Sequence, residues 1–183
     1  YDMNKNLVDS PVLLKDNLRN YLNQFRMITD EFSIYNGSVI NFGVGFEVVA
    51  HKNANKHDVK LRCINRIIDY FNIDRMQFRQ PIYTNDLIYE IMGIEGVRSV
   101  NFVELTQGDL VSNSTTLFDT ELFNISIDPS SGVAAGSGTY GYYYNFNSFY
   151  DGTVSSDGVI LPSVTPAVFE LKNPNENIKG VVL

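Results

Sequence analysis

The sequence contains one cysteine, no tryptophan and no long apolar run. A single cysteine, Cys63, cannot form an internal disulfide, so the fold does not depend on disulfide bonds. No uninterrupted apolar segment approaches the roughly 20 residues that cross a membrane. Cys63 lies among Leu61, Ile64 and Ile67. We therefore expect it to be a buried and unreactive thiol.

Positive charge is also scarce. The chain has 14 Lys and Arg against 21 Asp and Glu, which gives a formal net charge of −7 at pH 7. Because nucleic acids and anionic membranes bind clustered Lys and Arg, this balance argues against both kinds of partner. The 183 residues are 44% hydrophobic and 19% charged, a composition typical of a globular rather than a disordered chain.

Residues 40–48 alternate between apolar positions and polar or glycine positions. Successive side chains of a strand point to opposite faces, so this run predicts a half-buried β-strand at the centre of the fold. The apolar positions are Ile40, Phe42, Val44, Phe46 and Val48, and the opposite positions are Asn41, Gly43, Gly45 and Glu47. The glycines indicate either close approach of another backbone or a bend of the strand.

Two amphipathic helices flank this strand in the sequence. Ser10 as N-cap and Pro11 as first helical residue predict a helix over 11–28. Apolar residues at three- and four-residue spacings predict a second helix over 56–71. We expect both helices to cover the apolar face of the strand at 40–48.

Capping signals refine this order of elements. Asn53 or Asn55 can cap the second helix, and Thr84 is expected to cap a short third helix. Gly93 stands where a left-handed residue ends such a helix, and residues 97–105 follow as another strand.

The fold class predicted from this order is α+β. It comprises a small, mostly antiparallel sheet packed by two or three helices, followed by a β-rich, loop-rich C-terminal part. We expect residues 1–10 to connect to a missing N-terminal portion and residues 11–105 to form the α+β domain. Residues 106–183 form the β-rich region, and the sequence leaves open whether this region is independent or extends the first sheet.

Five of the eleven tyrosines lie between residues 140 and 150. Tyrosine combines a large apolar area with a polar tip and is enriched at interfaces, so this stretch predicts a contact surface. A well-packed sheet face explains it equally well. The interface candidates are Tyr140, Tyr142, Tyr143, Tyr144, Phe146, Phe149 and Tyr150.

No motif in the chain predicts catalysis, a metal or a cofactor. Residues 136–141 have the glycine spacing of a dinucleotide-binding loop, but a turn precedes them and an aromatic strand follows, where a strand and a helix are required. His51, His57 and Asp58 form the only imidazole-containing cluster, and a zinc site needs three or four converging ligands. A hydrolase that uses His51 or His57 is the weakest of the functional alternatives.

A series of motifs follows in a recognisable order along most of the chain. They are residues 18–22 with Arg26, 39–49, 68–71, 81–82, 87–88, 96–100, 157–166, 169–171 and 178–180. In this order they resemble the baseplate J-like proteins of contractile phage tails, and more narrowly the C-terminal part of a baseplate wedge subunit of T-even-type phages. The chain departs from the pattern at Arg79 and Gln80, since a glycine often precedes the position of Pro81 in the family.

The resemblance implies a non-enzymatic virion protein of the tail baseplate, made in the cytoplasm of the bacterial host. Such a subunit pairs with a copy of itself and with other wedge proteins in the ring around the tail hub. The alternative is an aromatic-lined carbohydrate or ligand-binding module of a tail or adhesin protein, with Tyr142, Tyr143 and Tyr144 as its stacking platform.

Overall fold

A computed structural model describes residues 7–8, 10–27, 30–106, 144, 146, 155, 157–161 and 166–183. The chain divides into two units, Tyr1–Gly37 and Ser38–Leu183. Helices and strands occur together in an α+β arrangement, which confirms the predicted fold class.

The elements are α1 (Val12–Asn23), β1 (Ser38–Asn41), β2 (Gly43–Ala50), α2 (Lys56–Tyr70), a 3₁₀ turn (Ile73–Arg75), β3 (Ile82–Tyr83), α3 (Thr84–Met92), β4 (Val97–Thr106), β5 (Val159–Ile160), β6 (Ala167–Glu170), α4 (Pro174–Asn177) and β7 (Ile178–Val182).

Strand β2 is the centre of a three-stranded sheet with the order β4-β2-β7. It pairs antiparallel with β4 and parallel with β7. Strand β1 pairs parallel with β6, and β3 pairs antiparallel with β5. The sheets are therefore mixed rather than mostly antiparallel, because the C-terminal chain returns beside β1 and β2 in their own direction. In the second unit, the strands at 167–182 thus extend the pairing of the strands at 38–50.

The predicted strand at 40–48 is interrupted at Phe42. The backbone N–H of Phe42 donates to the carbonyl of Glu170 at the end of β6, at 3.2 Å. From Val44 onward the same chain pairs with β7, starting at Ile178. The run thus passes from one parallel partner to another at Phe42, which is why one alternating pattern yields two strands.

The apolar face of β2 lies in the core, as the alternation predicts. Val44, Phe46 and Val48 are fully buried, in one hydrophobic cluster with Cys63 of α2 and Leu87 of α3. Helix α2 packs over β7 and α3 packs over β4. Burial of each of the Val, Phe and Leu side chains stabilises the fold by roughly 1.5–3 kcal/mol.

The opposite face of β2 is covered at its start. Gly43 and Gly45 are buried, whereas Glu47 is only half-buried. Both faces of the strand are therefore removed from water at this end.

The predicted caps of α2 and α3 agree with the structure in one case and differ in two. Asn55 caps α2, its side chain accepting the backbone N–H of His57 at 3.0 Å. Thr84 is the first residue of α3 rather than its cap. Gly93 keeps the right-handed helical conformation, with φ −72°, so the prediction of a left-handed residue there is wrong. The chain instead turns at Gly96, where φ is +99°.

Helix α1 begins later and ends earlier than predicted. Pro11 is the N-cap in place of Ser10, and the helix ends at Asn23 rather than near residue 28. Asparagine is a poor helix former, which favours an end at this position. No residue of α1 is buried, and the expectation that this helix covers the strand at 40–48 stays a prediction.

Candidate interface surfaces

Two of the seven aromatic residues predicted to form an interface, Tyr144 and Phe146, lie in the core. They are 6% and 8% exposed. Their ring centroids are 4.8 Å apart, and the Tyr144 ring meets that of Phe169 edge-on at 5.3 Å. Phe146 also lies 6.0 Å from Phe42. Tilted and edge-to-face rings at these distances attract one another beyond the effect of burial alone.

The polar end of Tyr144 is also satisfied inside the chain. Its hydroxyl donates to the backbone carbonyl of Leu161. Burial disfavours the charged phenolate and raises the pKa of Tyr144 to about 12. The residue thus combines a packed ring with a hydrogen-bonded tip, as expected for a core tyrosine.

Tyr144 and Phe146 therefore belong to the packed core, which was the alternative to a contact surface. Tyr144 cannot present a ring face to a sugar while that ring packs on Phe146 and Phe169. The other five candidates, Tyr140, Tyr142, Tyr143, Phe149 and Tyr150, lie outside the described residues.

One side of α1 is an exposed apolar feature of the first unit. Three of its side chains, together with Phe25 two residues beyond the end of the helix, form what we call the α1 stripe: Leu14 (57% exposed), Leu18 (45%), Tyr21 (58%) and Phe25 (68%). The Tyr21 and Phe25 rings lie 5.1 Å apart. The sequence predicts this apolar spacing, and the expectation that the face covers the strand at 40–48 stays a prediction. An amphipathic pattern does not distinguish burial within a chain from burial against another one.

The two histidines lie on the surface and do not converge with other ligands. His51 and His57 are both exposed. The backbone N–H of His51 donates to Gly96, and that of His57 donates to the Asn55 cap. Among the residues that the structure describes, no group of three or more His, Cys, Asp or Glu could hold a metal ion.

Cys63 is a buried thiol, as predicted. Burial raises its pKa to about 11, which keeps it protonated at neutral pH. The thiolate is the reactive form of cysteine, so this side chain acts as a small core residue.

A cleft of about 440 Å³ lies between α2 and α3. Arg66 at its wall forms an ion pair with Glu90, and Arg62 lies 3.4 Å from the carboxylate of Glu95. Both arginines are about half exposed. Ion pairs between exposed side chains each stabilise a fold only weakly. The carboxylates of Glu90 and Glu95 nevertheless balance the charge of the two arginines, which would otherwise attract an anion.

Buried polar groups cluster where β1 and β6 end. Asn41 faces Glu170 in the parallel register, and both are buried. Lys172 and Asn177 are buried as well, and the Asn177 side-chain amide donates to the Lys172 carbonyl at 2.5 Å. Because Asn177 directly precedes β7, this bond fixes the return of the chain into the sheet. Spacing in the sequence gave no signal of this cluster.

The turn before β3 contains an unusual backbone conformation. Arg79 has a φ of +60°, a left-handed value that favours glycine over residues with a Cβ. Its backbone N–H donates to the carbonyl of Ala167 at 3.0 Å. The turn is thereby tied to the start of β6.

A scan of family models and a search of curated proteins both find no match for this chain. Among the described helices, none combines the length and apolar character that a membrane crossing requires.

Proposed function

We propose that the chain is a structural, non-catalytic wedge subunit of a contractile phage tail baseplate. In this role it associates with a second copy of itself and with neighbouring wedge proteins. It is made in the cytoplasm of the bacterial host and becomes part of the virion. It uses no cofactor and contacts neither nucleic acid nor a membrane.

The observation that carries this proposal is the exposed α1 stripe. Helices of about 12 residues are marginal in water by themselves, and most of their stability comes from packing of an apolar face. The four stripe residues remain between 45% and 68% exposed. A helix of this kind is stabilised when a partner covers it, as the parts of an assembly cover one another.

The backbone at Arg79 supports the resemblance on which the identification of the assembly rests. The J-like pattern often has a glycine before the position of Pro81. Arg79 stands two residues before Pro81 and adopts the left-handed conformation that glycine adopts most readily. This turn therefore has a backbone conformation that the glycine of the pattern could also adopt.

Immunogold electron microscopy tests this proposal. An antibody raised against the purified chain is applied to contractile-tailed virions from the source of the sequence. We expect gold at the baseplate end of the tail, and labelling that disappears when the antibody is first absorbed with the chain. Labelling confined to the head or tail sheath, or virions that contain none of the protein by mass spectrometry, would contradict the proposal.

A further inference from the structure

The segment before β1 contains the one Asn-Gly pair of the sequence, Asn36-Gly37. The pair lies within residues 30–37, which form neither helix nor strand, and it ends the first unit. The Asn36 side chain is exposed. Strand β1 begins at the next residue, Ser38, whose N–H donates to the carbonyl of Pro166 at 2.9 Å. The pair therefore stands directly before an anchored strand without being part of it.

The side-chain amide of Asn36 and the backbone nitrogen of Gly37 are open to each other. Among the residues that the structure describes, no hydrogen bond involves the N–H of Gly37 or the Asn36 amide. Glycine has no Cβ, so no side chain hinders the approach of the amide carbonyl to this nitrogen. Groups that are neighbours in one chain react far more readily than separate molecules do. The arrangement thus favours attack of the Gly37 nitrogen on the side chain before it.

Other exposed asparagines show how the fold protects this residue type. Asn53 is followed by Ala54, whose N–H donates to a carbonyl of the same turn at 2.9 Å, so that nitrogen is held in place. The side chains of Asn55 and Asn72 accept backbone N–H groups in the caps that they form, at 3.0 and 3.1 Å. Asn36 has neither kind of protection.

We propose that Asn36 is a site of spontaneous deamidation through a cyclic imide. The Gly37 nitrogen gives up its proton to water and forms a bond to Cγ of Asn36. The bond between Cγ and Nδ2 breaks, and the amide nitrogen takes up a proton and leaves as ammonia. Water then opens the imide at either of its carbonyls, which leaves an aspartyl or an isoaspartyl residue at position 36. The reaction needs water and no other co-reactant.

The reaction changes the charge and the backbone at a defined place in the chain. Either product adds a carboxylate to a chain whose formal net charge is −7. The isoaspartyl product also routes the main chain through the side-chain carbon atoms, and so lengthens it just before the anchored start of β1. This chemistry is independent of the proposed function.

Peptide mapping by mass spectrometry tests this site in the full chain, aged in mildly alkaline buffer that favours loss of the Gly37 proton. We expect the peptide with Asn36 to convert into two products with the mass of an acid in place of an amide, while the peptide with Asn53 stays unchanged. Gly37→Ala should slow the conversion at least about tenfold, equivalent to a barrier higher by about 1.4 kcal/mol. Among the described glycines only Gly96 and Gly158 have a positive φ, so the backbone at position 37 accepts alanine.

Asn36→Gln is the matched control, because its longer side chain has to close a larger ring, and we expect no conversion in this variant. The inference is overturned if the folded wild type shows no conversion at Asn36, if Asn53 converts equally, or if Gly37→Ala reacts as fast as the wild type. Conversion in guanidinium chloride but not in buffer overturns it as well, since the fold then protects Asn36. Circular dichroism checks folding, and the comparison of Asn36 with Asn53 in the wild type requires no variant.

Discussion

Phe46 and Gly180 face each other across the parallel strands β2 and β7, and the Phe46 ring fills the space beside the glycine. The two residues are partners in the strand register. A Cβ atom at position 180 would overlap this ring. Phe46 is fully buried, so the ring cannot simply swing into solvent. The absence of a side chain at 180 is thus a packing requirement of the core.

Gly180→Ala should destabilise the second unit. The added methyl group forces the Phe46 ring or the β7 backbone to move, and overpacking of this kind costs typically about 1–3 kcal/mol. We expect the midpoint of urea unfolding to fall with little change in slope. In combination with Phe46→Leu, which makes room, the alanine should cost less than it does alone.

Gly93→Ala is the matched control for this substitution. Gly93 has a φ of −72°, and a Cβ there would lie 3.6 Å from the carbonyl oxygens of Tyr89 and Glu90, in ordinary contact. We expect stability equal to that of the wild type or up to about 1 kcal/mol higher, because alanine reduces the freedom of the unfolded chain. Equal destabilisation at 93 and 180 would contradict the specific overlap with Phe46.

Replacement of Arg79 should reveal strain in the turn before β3. Both Arg79→Ala and Arg79→Gly remove the contacts of the arginine side chain, so their difference reports on the backbone. At a φ of +60°, a residue with a Cβ is disfavoured by roughly 1–2 kcal/mol relative to glycine, partly offset by the greater freedom of glycine in the unfolded chain. We expect the glycine variant to be more stable than the alanine variant by about 1 kcal/mol in urea unfolding. An alanine variant as stable as the glycine variant would show that no such strain exists.

Phe146→Ala tests whether the tyrosine-rich stretch contributes to the core. Phe146 is buried between Phe42, Tyr144 and Phe169, and truncation of such a ring costs about 3–5 kcal/mol. Tyr35→Ala removes an aromatic ring that is 85% exposed, and we expect its effect to stay within about 0.5 kcal/mol. Thermal or urea unfolding measures both. A Phe146→Ala variant as stable as Tyr35→Ala would return Phe146 to the list of surface candidates.

The sequence predicted the parts of the fold that follow from local periodicity. The alternation at 40–48 correctly placed Val44, Phe46 and Val48 in the core, because a strand has a fixed period of two. The parallel partners of β1 and β2 could not be predicted in this way. Their residues lie more than a hundred positions further along the chain, and nothing in the local pattern specifies parallel pairing.

The candidate interface surfaces were harder to predict from the sequence for a related reason. Tyr144 and Phe146 are residue types that are common both at interfaces and in cores. Their contacts with Phe169, which the sequence does not show, place them in the core. The helix α1 shows the reverse case, since its core-like stripe is exposed. An apolar pattern predicts that a surface is covered, but it does not predict whether the same chain or another chain covers it.

Stability at alkaline pH should depend on Tyr144. Its pKa rises from the usual value of 10 to about 12 because burial penalises the phenolate. The folded chain therefore retains the proton more strongly than the unfolded chain between about pH 10 and 12. The stabilisation is fully present below pH 10 and is lost as the pH rises through 12. Cys63 acts in the same direction from about pH 9 to 11, so the wild type should lose stability throughout this range.

Tyr144→Phe keeps the ring and removes the titrating hydroxyl, together with its hydrogen bond to Leu161. At neutral pH we expect this variant to be less stable by about 0.5–1.5 kcal/mol. Above pH 10 its free energy of unfolding should fall less steeply than that of the wild type, so the two curves converge. Tyr35→Phe, at an exposed position, controls for the loss of a tyrosine hydroxyl. Urea unfolding at intervals from about pH 9 to 11.5 measures the slopes. Parallel curves for wild type and Tyr144→Phe would show that the folded state does not hold this phenol in its protonated form.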